Sequence, residues 1–299
     1  MSSRYNSIFK AGLFDGQVAL VTGGGTACEG IGRCTAHELA SLGAVVVVAG
    51  RKIDALKRVV AEIKQSGGQA DYVSINVRDV DSVAKGVEQV MQKYQRINIL
   101  VNCAGGQFYG PAATISNNGW HSVIDLNLNG TWHMCRAVYD AWMQAHGGSI
   151  VCVTADCRNG NRAPVSNLVK SLAIEWGPSG VRINSLAPGT IIGNGMNNYP
   201  PPVLESICTD VAGKNPSGRL GTESEIAAAI TFLVSPAAAY ISGIEMAVDG
   251  ASSLCANDMY FAREPATAPY IGYTSDVDID LPKELVPLLA KYKRVASKL

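Results

Sequence analysis

The stretch QVALVTGGGTACEGIGRCTAHELASL, Gln17 to Leu42, decides how the rest of the chain is read. Val18 to Val21 is an apolar run of strand length, Thr22 to Gly32 is rich in glycine, and from Ile31 the apolar residues Ile31, Leu39 and Leu42 recur at helical spacing. The pattern predicts strand, turn and helix. Glycines allow the tight turn and let backbone N–H groups approach a pyrophosphate, which the positive end of the helix stabilises. A second apolar run, Ala44 to Ala49, follows the helix and gives the loop the context that a dinucleotide-binding turn requires.

The alternation continues outward from this unit. Ile53, Leu56, Val60 and Ile63 mark an amphipathic helix stopped by Gly67-Gly68, and Tyr72 to Val77 is predicted as strand three. Val83, Val87, Val90 and Tyr94 face a third helix inward, and Ile97 to Val101 is a fourth strand ending in NCAGG. A long helix is expected from about Gly119 to His146, then a strand in GGSIVCVTA, a helix from Val165 to Trp176 and a strand from Arg182 to Leu186. Thr222 and Glu225 have capping-box spacing before a helix at Ile226 to Val234, and Glu245 to Val248 closes a seventh strand. Strands alternating with helices at short spacing predict an α/β fold: a doubly wound Rossmann sheet, mostly parallel and seven-stranded, in a single domain spanning 1–251. The proline-bearing remainder, 252–299, reads as a C-terminal extension on the domain or a partner subunit.

Composition narrows the function. The 299 residues are 47% hydrophobic, ample for one large core, and 25 basic residues balance 25 acidic ones. With no net field toward nucleic acid or membrane, an anionic small molecule would be held by local charges. Eight cysteines without a CxxC pair, several in strand-like runs, read as reduced core thiols, and the four histidines His37, His121, His133 and His146 read as surface or packing residues. No metal spacing and no membrane-length apolar run appear, and the opening MSSRYNS lacks the apolar core of a secretion signal. Ser297-Lys298-Leu299 matches the tripeptide read by the peroxisomal import receptor, so peroxisomal localisation is expected.

Ligands of such sheets bind at the carboxyl ends of the strands. After strand two come Arg51 and Lys52, where a carboxylate would favour NAD and a cation favours the 2′-phosphate of NADP. The bland alternative is a solvated pair opening a helix.

TGGGTACEGIG at Thr22 to Gly32, NCAG at Asn102 to Gly105 and APGTI at Ala187 to Ile191 together resemble the short-chain dehydrogenase/reductase family over nearly the whole chain. Within it, the stretches Asn98 to Trp120 and Gly130 to Val151 look like the branch that reduces trans-2-enoyl-CoA in peroxisomes. The resemblance implies NADPH (NADP) as cofactor, an enoyl-CoA small-molecule substrate and a homo-oligomer. It also implies that Gly23, Gly30, Ile31 and Gly32 hold the pyrophosphate, and that Asn76 and Val77 border the adenine. Asn102, Ala104 and Gly105 would line the ribose path, and Pro188, Gly189, Thr190 and Ile191 would flank the nicotinamide.

Two departures from the family pattern bear on activity. Ala27-Cys28-Glu29 lengthens the glycine loop, and VTADCRNGNRAPVSNLVKSLAIEWG is shorter than its family counterpart. The family's Ser and YxxxK are not recognisable: alignment through SLAIEWG puts Arg162 at the lysine and Arg158 at the tyrosine, and the serine position falls on Ala155. Asn127 matches the fourth member of the family set. Lys170 is a weaker candidate, because Ser166 to Lys170 repeats the spacing with serine for tyrosine. Arg162 would bond the nicotinamide ribose and add positive charge near an enolate, or else merely open the helix before Pro164 with Asn161 as cap. The leading expectation is therefore an NADPH-dependent trans-2-enoyl-CoA reductase, with a 2,4-dienoyl-CoA reductase and a catalytically dead nucleotide-binding subunit as alternatives.

Overall fold

Alternate residues of a strand face opposite sides of its sheet, and in the strand Val18–Thr22 (β1) every one is buried. Such a strand belongs in the middle of a sheet covered on both faces. The computed structural model of the protein describes residues 7–23, 30–106, 112–155, 163–193, 196, 199–207, 215–254 and 270, and β1 lies inside the sheet, third of its seven strands. Its neighbours are β2 (Val45–Gly50) and, beyond that, β3 (Gln69–Ser74) on one side. On the other side follow β4 (Ile99–Asn102), β5 (Gly148–Val153) and β6 (Val181–Pro188). Two short strands, β7 (Ile191–Ile192) and β8 (Gly221–Thr222), pair separately, and β9 (Glu245–Val248) completes the main sheet beside β6. All seven main strands are parallel, in the order β3-β2-β1-β4-β5-β6-β9.

The two faces carry separate cores. Val18, Leu20, Leu100 and Ile150 point toward α3 (Val80–Tyr94), the long helix 117–146 and the helix Ala163–Trp176. Ala19, Val21, Val46 and Val48 point toward α1 (Ile31–Ser41), α2 (Ile53–Gln65) and the helix Glu223–Val234. The predicted doubly wound sheet in a single domain is what forms, and Thr222 with Glu225 makes the expected capping box. No helix among the described residues is long and apolar enough to cross a membrane.

Two differences from the expected elements have physical reasons. β3 begins at Gln69 rather than Tyr72 and ends at Ser74 rather than Val77. As an edge strand it does not need a continuous apolar run, and after the last ladder bond, Ile75 N to Gly50 O at 3.1 Å, Asn76 and Val77 turn away toward α3. The long helix contains two π segments, Asp125–Asn129 and Tyr139–Met143, which share the apolar periodicity of an α-helix closely enough to escape a sequence reading. Cys34, Cys135 and Cys152 are buried free thiols and Cys103 is partly buried, as expected of reduced core cysteines.

Candidate active site

The strand order reverses between β1 and β4, and the crevice at their carboxyl ends is where a ligand enters a doubly wound sheet. β1 delivers Gly23 to this point at φ +72°, with its N–H bonded to Ala49 O at 3.1 Å. A Cβ on Gly23 would stand 2.8 Å from the backbone of Cys103 and Ala104, so the position admits only glycine. Thr22, one residue earlier, accepts from Ala104 N through Oγ1 at 3.1 Å and fixes the approach of the two strand ends.

Around this contact lies a cleft lined by Gly23, Arg51, Lys52, Asn76, Val77, Ala104 and Gly105, all seven of them read from the sequence as cofactor contacts. Ala49, Gly50, Ile75 and Leu126 complete its wall. The first three of these sit at strand ends or just beyond, so the carboxyl-end rule reaches them; Leu126 comes from the π segment and gave no sequence signal. Arg51 and Lys52 are exposed at the cleft's edge, and among the described residues neither makes an ion pair. Their charge is free for an incoming anion.

Gly30 stands at the N-cap of α1 with a φ of 140° that only glycine adopts readily, and no side chain among the described residues caps the helix's first turn. Ile31 and Gly32 open the helix, with Gly32 buried. A helix start without a side-chain cap among the described residues, a backbone cradle that a Cβ would fill and two cations without an ion pair among the described residues fit a phosphate-bearing dinucleotide. Asn102 is buried beneath the cleft, donating to Cys135 Sγ at 3.2 Å, and its Oδ1 has no partner among the described residues.

The opposite end of the expected cofactor path is built on β6. Pro188 closes that strand, and Gly189 N donates to Val248 O at 3.0 Å. A Cβ on Gly189 would lie 2.8 Å from Asp249, so β6 and β9 approach closely here. Thr190 and Ile191 line a second cleft with Asn215, Arg219, Glu225 and Asp249, residues without a sequence signal for it. Arg219 and Glu225 form a two-pronged pair at 2.6 and 2.9 Å. Burial pushes the Asp249 carboxyl up, but bonds from Ser253, Ala251 and Ser252 outweigh it and hold the group below its ordinary value.

Asn127 sits in the π segment Asp125–Asn129, 4% exposed, and grips the loop after β4 with both ends of its amide. Oδ1 accepts from Gly106 N at 3.0 Å, and Nδ2 donates to Gly106 O at 2.7 Å. Its own carbonyl accepts from Thr131 Oγ1 at 2.7 Å. Asn127 does not itself line the first cleft but follows its lining residue Leu126 and holds Gly106, next to the lining residue Gly105; the structure brings Lys170 to neither. Lys170 is exposed on the helix Ala163–Trp176, while Ser166 is buried and donates to Glu245 Oε1 at 2.5 Å. Arg162, Arg158, Asn161, the Ala27-Cys28-Glu29 segment and Ser297-Lys298-Leu299 lie outside the described residues. Among the described residues no cluster of His, Cys, Asp and Glu has the arrangement of a metal site.

A family model described as enoyl-(acyl carrier protein) reductase matches residues 25–252. The chain belongs to the short-chain dehydrogenase/reductase family. It is 35% identical to the peroxisomal 2,4-dienoyl-CoA reductase of Rattus norvegicus over 265 residues, 84% of this chain and 88% of that protein. The corresponding protein of Arabidopsis thaliana is 31% identical, over 82% of this chain and 87% of its own. Among solved structures, a citronellol catabolism dehydrogenase of Pseudomonas aeruginosa PAO1 is 40% identical, with a TM-score of 0.73 over 83% of this chain and 100% of that one. A 7α-hydroxysteroid dehydrogenase complexed with NADH and a 7-oxo bile acid gives 31% and 0.74, over 80% and 95%. Membership makes the chain an oxidoreductase of the kind that works with a nicotinamide dinucleotide.

Proposed function

We propose that the protein reduces an unsaturated acyl-CoA with NADPH in the peroxisome, and that the substrate is a 2,4-dienoyl-CoA. The names and species range of the curated relatives support the dienoyl thioester and the compartment. The stretches Asn98 to Trp120 and Gly130 to Val151 favour trans-2-enoyl-CoA as the second reading. The observation that carries the cofactor choice is the pair of unpaired cations, Arg51 and Lys52, on the cleft wall where a 2′-phosphate would lie.

When bound, the cofactor supplies a hydride. The chain's part is to seat it through the Gly23 cradle and the first turn of α1, and to hold the Gly105–Gly106 loop through Asn127. Reduction of a ketone leaves an alkoxide that needs a positioned proton donor, whereas reduction of a conjugated thioester leaves an enolate. The enolate oxygen needs only donors, and its carbon takes a proton from solvent. Nowhere in the chain does a lysine follow a tyrosine by four residues, which suits the thioester better than the ketone. Arg162 is the proposed source of positive charge near the enolate, and Lys170, exposed as it is, is left out of the proposed site.

The test is oxidation of NADPH with a medium-chain 2,4-dienoyl-CoA, a trans-2-enoyl-CoA and a simple ketone in parallel. Turnover should rank in that order, with the ketone inactive. Faster reduction of the monoene would move the assignment to the second reading. Tight NADPH binding without turnover of either thioester would leave a nucleotide-binding subunit. Arg51→Ala should weaken NADPH about five- to tenfold in a fluorescence titration and leave NADH unchanged, since an exposed charge-assisted phosphate contact is worth about 1 kcal/mol.

A further inference from the structure

The turn that follows β3 is fastened to the long helix at three points. Val77 O accepts from His133 Nδ1 at 3.0 Å, which places the ring proton on that nitrogen because a carbonyl only accepts. Arg78 Nη2 donates to both the carbonyl and the hydroxyl of Ser122, at 3.1 and 3.0 Å. Between them Val77 lies against Gly130 so closely that a Cβ there would come within 2.7 Å of Val77 Cγ2. On the helix, Ser122 and His133 bracket the π segment that carries Leu126 and Asn127.

A π turn holds more residues than the α turns around it, so the helix beyond it is rotated relative to the helix before it. Asn127 reaches Gly106 only at the right offset, and an anchor on each side of the π segment fixes that offset against one common body, the turn Asn76–Val77–Arg78. We infer that Arg78 and His133 are positioning residues that clamp the adenine-side wall of the cleft to the helix and thereby set Asn127 and the Gly105–Gly106 loop for reaction. Neither side chain lines the cleft. The inference rests on the proposed seating of the cofactor for its catalytic part; the clamp itself does not.

The experiment is amide hydrogen exchange on the full chain, free and with adenosine 2′,5′-bisphosphate, a probe that carries the adenine and the 2′-phosphate but no nicotinamide. In the Arg78→Ala/His133→Ala variant, exchange at Gly106 and across 125–131 should rise at least about fivefold in the free protein, the loss of two or three modest hydrogen bonds. The probe should protect 75–77 in both proteins but protect Gly106 only in the parent. His133→Asn, whose amide nitrogen stands where Nδ1 stood, should restore the slow exchange that His133→Ala loses. In turnover the double variant should lose about tenfold in kcat at saturating NADPH, and Arg78→Lys with His133→Asn should recover most of it. Unchanged exchange at Gly106 and 125–131, or failure of His133→Asn to rescue, would overturn the clamp. If the double variant does not fold, His133→Ala alone carries the same comparison. A protein that ignores the probe or turns over no thioester would sink the proposed function, while exchange in the free protein would still decide the clamp.

Discussion

Gly23 meets two demands that no other residue type meets together: a left-handed backbone and a wall of neighbouring backbone where a side chain would begin. Gly23→Ala should therefore cost about 1–2 kcal/mol in backbone strain and more in displacing Cys103 and Ala104. The expected outcome is a melting temperature lower by several degrees and a dinucleotide affinity reduced at least tenfold, read by calorimetry and cofactor fluorescence. Gly23 was legible in sequence because a glycine run directly after an apolar strand has few other uses. Arg51 and Lys52 were expected from the rule of strand ends and Asn76 and Ala104 from family resemblance alone, and the structure places all four on one cleft. Leu126, Thr22 and the clamp residues Arg78 and His133 were not legible. The roles of Thr22, Arg78 and His133 arise from contacts 44 to 82 residues apart in the chain, to which local pattern is blind.

At the scale of elements, α1 and α2 are joined by a small charged cluster. Glu62 accepts from Arg33 Nε at 2.9 Å and faces His37 Nε2 at 3.2 Å, with Arg33 and His37 almost fully buried. Burial pushes His37 below its ordinary value and Arg33 adds to this, against the opposing bond to Glu62. Burial pushes Glu62 up, but the bond to His37 and the charge of Arg33 prevail and hold it down. Both groups thus bind protons more readily unfolded than folded, so stability rises with pH through each window. His37 removes stability as pH falls below about 6.5, and Glu62 removes more as pH falls below about 4.5 toward its folded value. Glu62→Gln should lower stability at pH 7 and flatten the denaturation series below about pH 4.5, where Glu62 itself titrates, while the loss due to His37 below about 6.5 persists. A parallel downward displacement with an unchanged acid limb would show that the cluster does not titrate as described. None of this was visible in a sequence where His37 reads simply as a helical histidine; a buried role follows only once α2 is laid across α1. The π segments were hidden for a related reason, since their apolar residues keep the rhythm of the helix on either side.

For the whole molecule, the alternation of strands and helices was readable from periodicity, but the sheet order β3-β2-β1-β4-β5-β6-β9 was not, because right-handed crossovers leave several orders open. How the late chain joins the domain was not readable, and Tyr270 is the one described residue beyond 254. Its carbonyl accepts from Thr222 Oγ1 at 2.8 Å, the same hydroxyl that caps the helix Glu223–Val234. Its phenol meets Ser7 and the backbone of Ile8 and lies near the fully buried Glu38 of α1, to which Ser7 Oγ donates. One tyrosine thus ties Ser7 and Ile8, α1 and the helix Glu223–Val234 into one corner. Burial, followed by the charge of Glu38, pushes the phenol up to about 12. A group raised on folding contributes stability that is fully present below its unfolded value near 10 and is lost as pH rises through about 12. The parent protein should therefore lose stability between pH 10 and 12, and Tyr270→Phe should start lower at pH 8 yet lose less across that interval. Tyr270→Ala should lower the melting temperature by a further few degrees at every pH, because packing goes with the hydroxyl. Denaturant midpoints at pH 8, 10 and 11.5 would check this, and alkaline curves for parent and Tyr270→Phe that fall in parallel would show that the phenol is not the group that titrates at this corner.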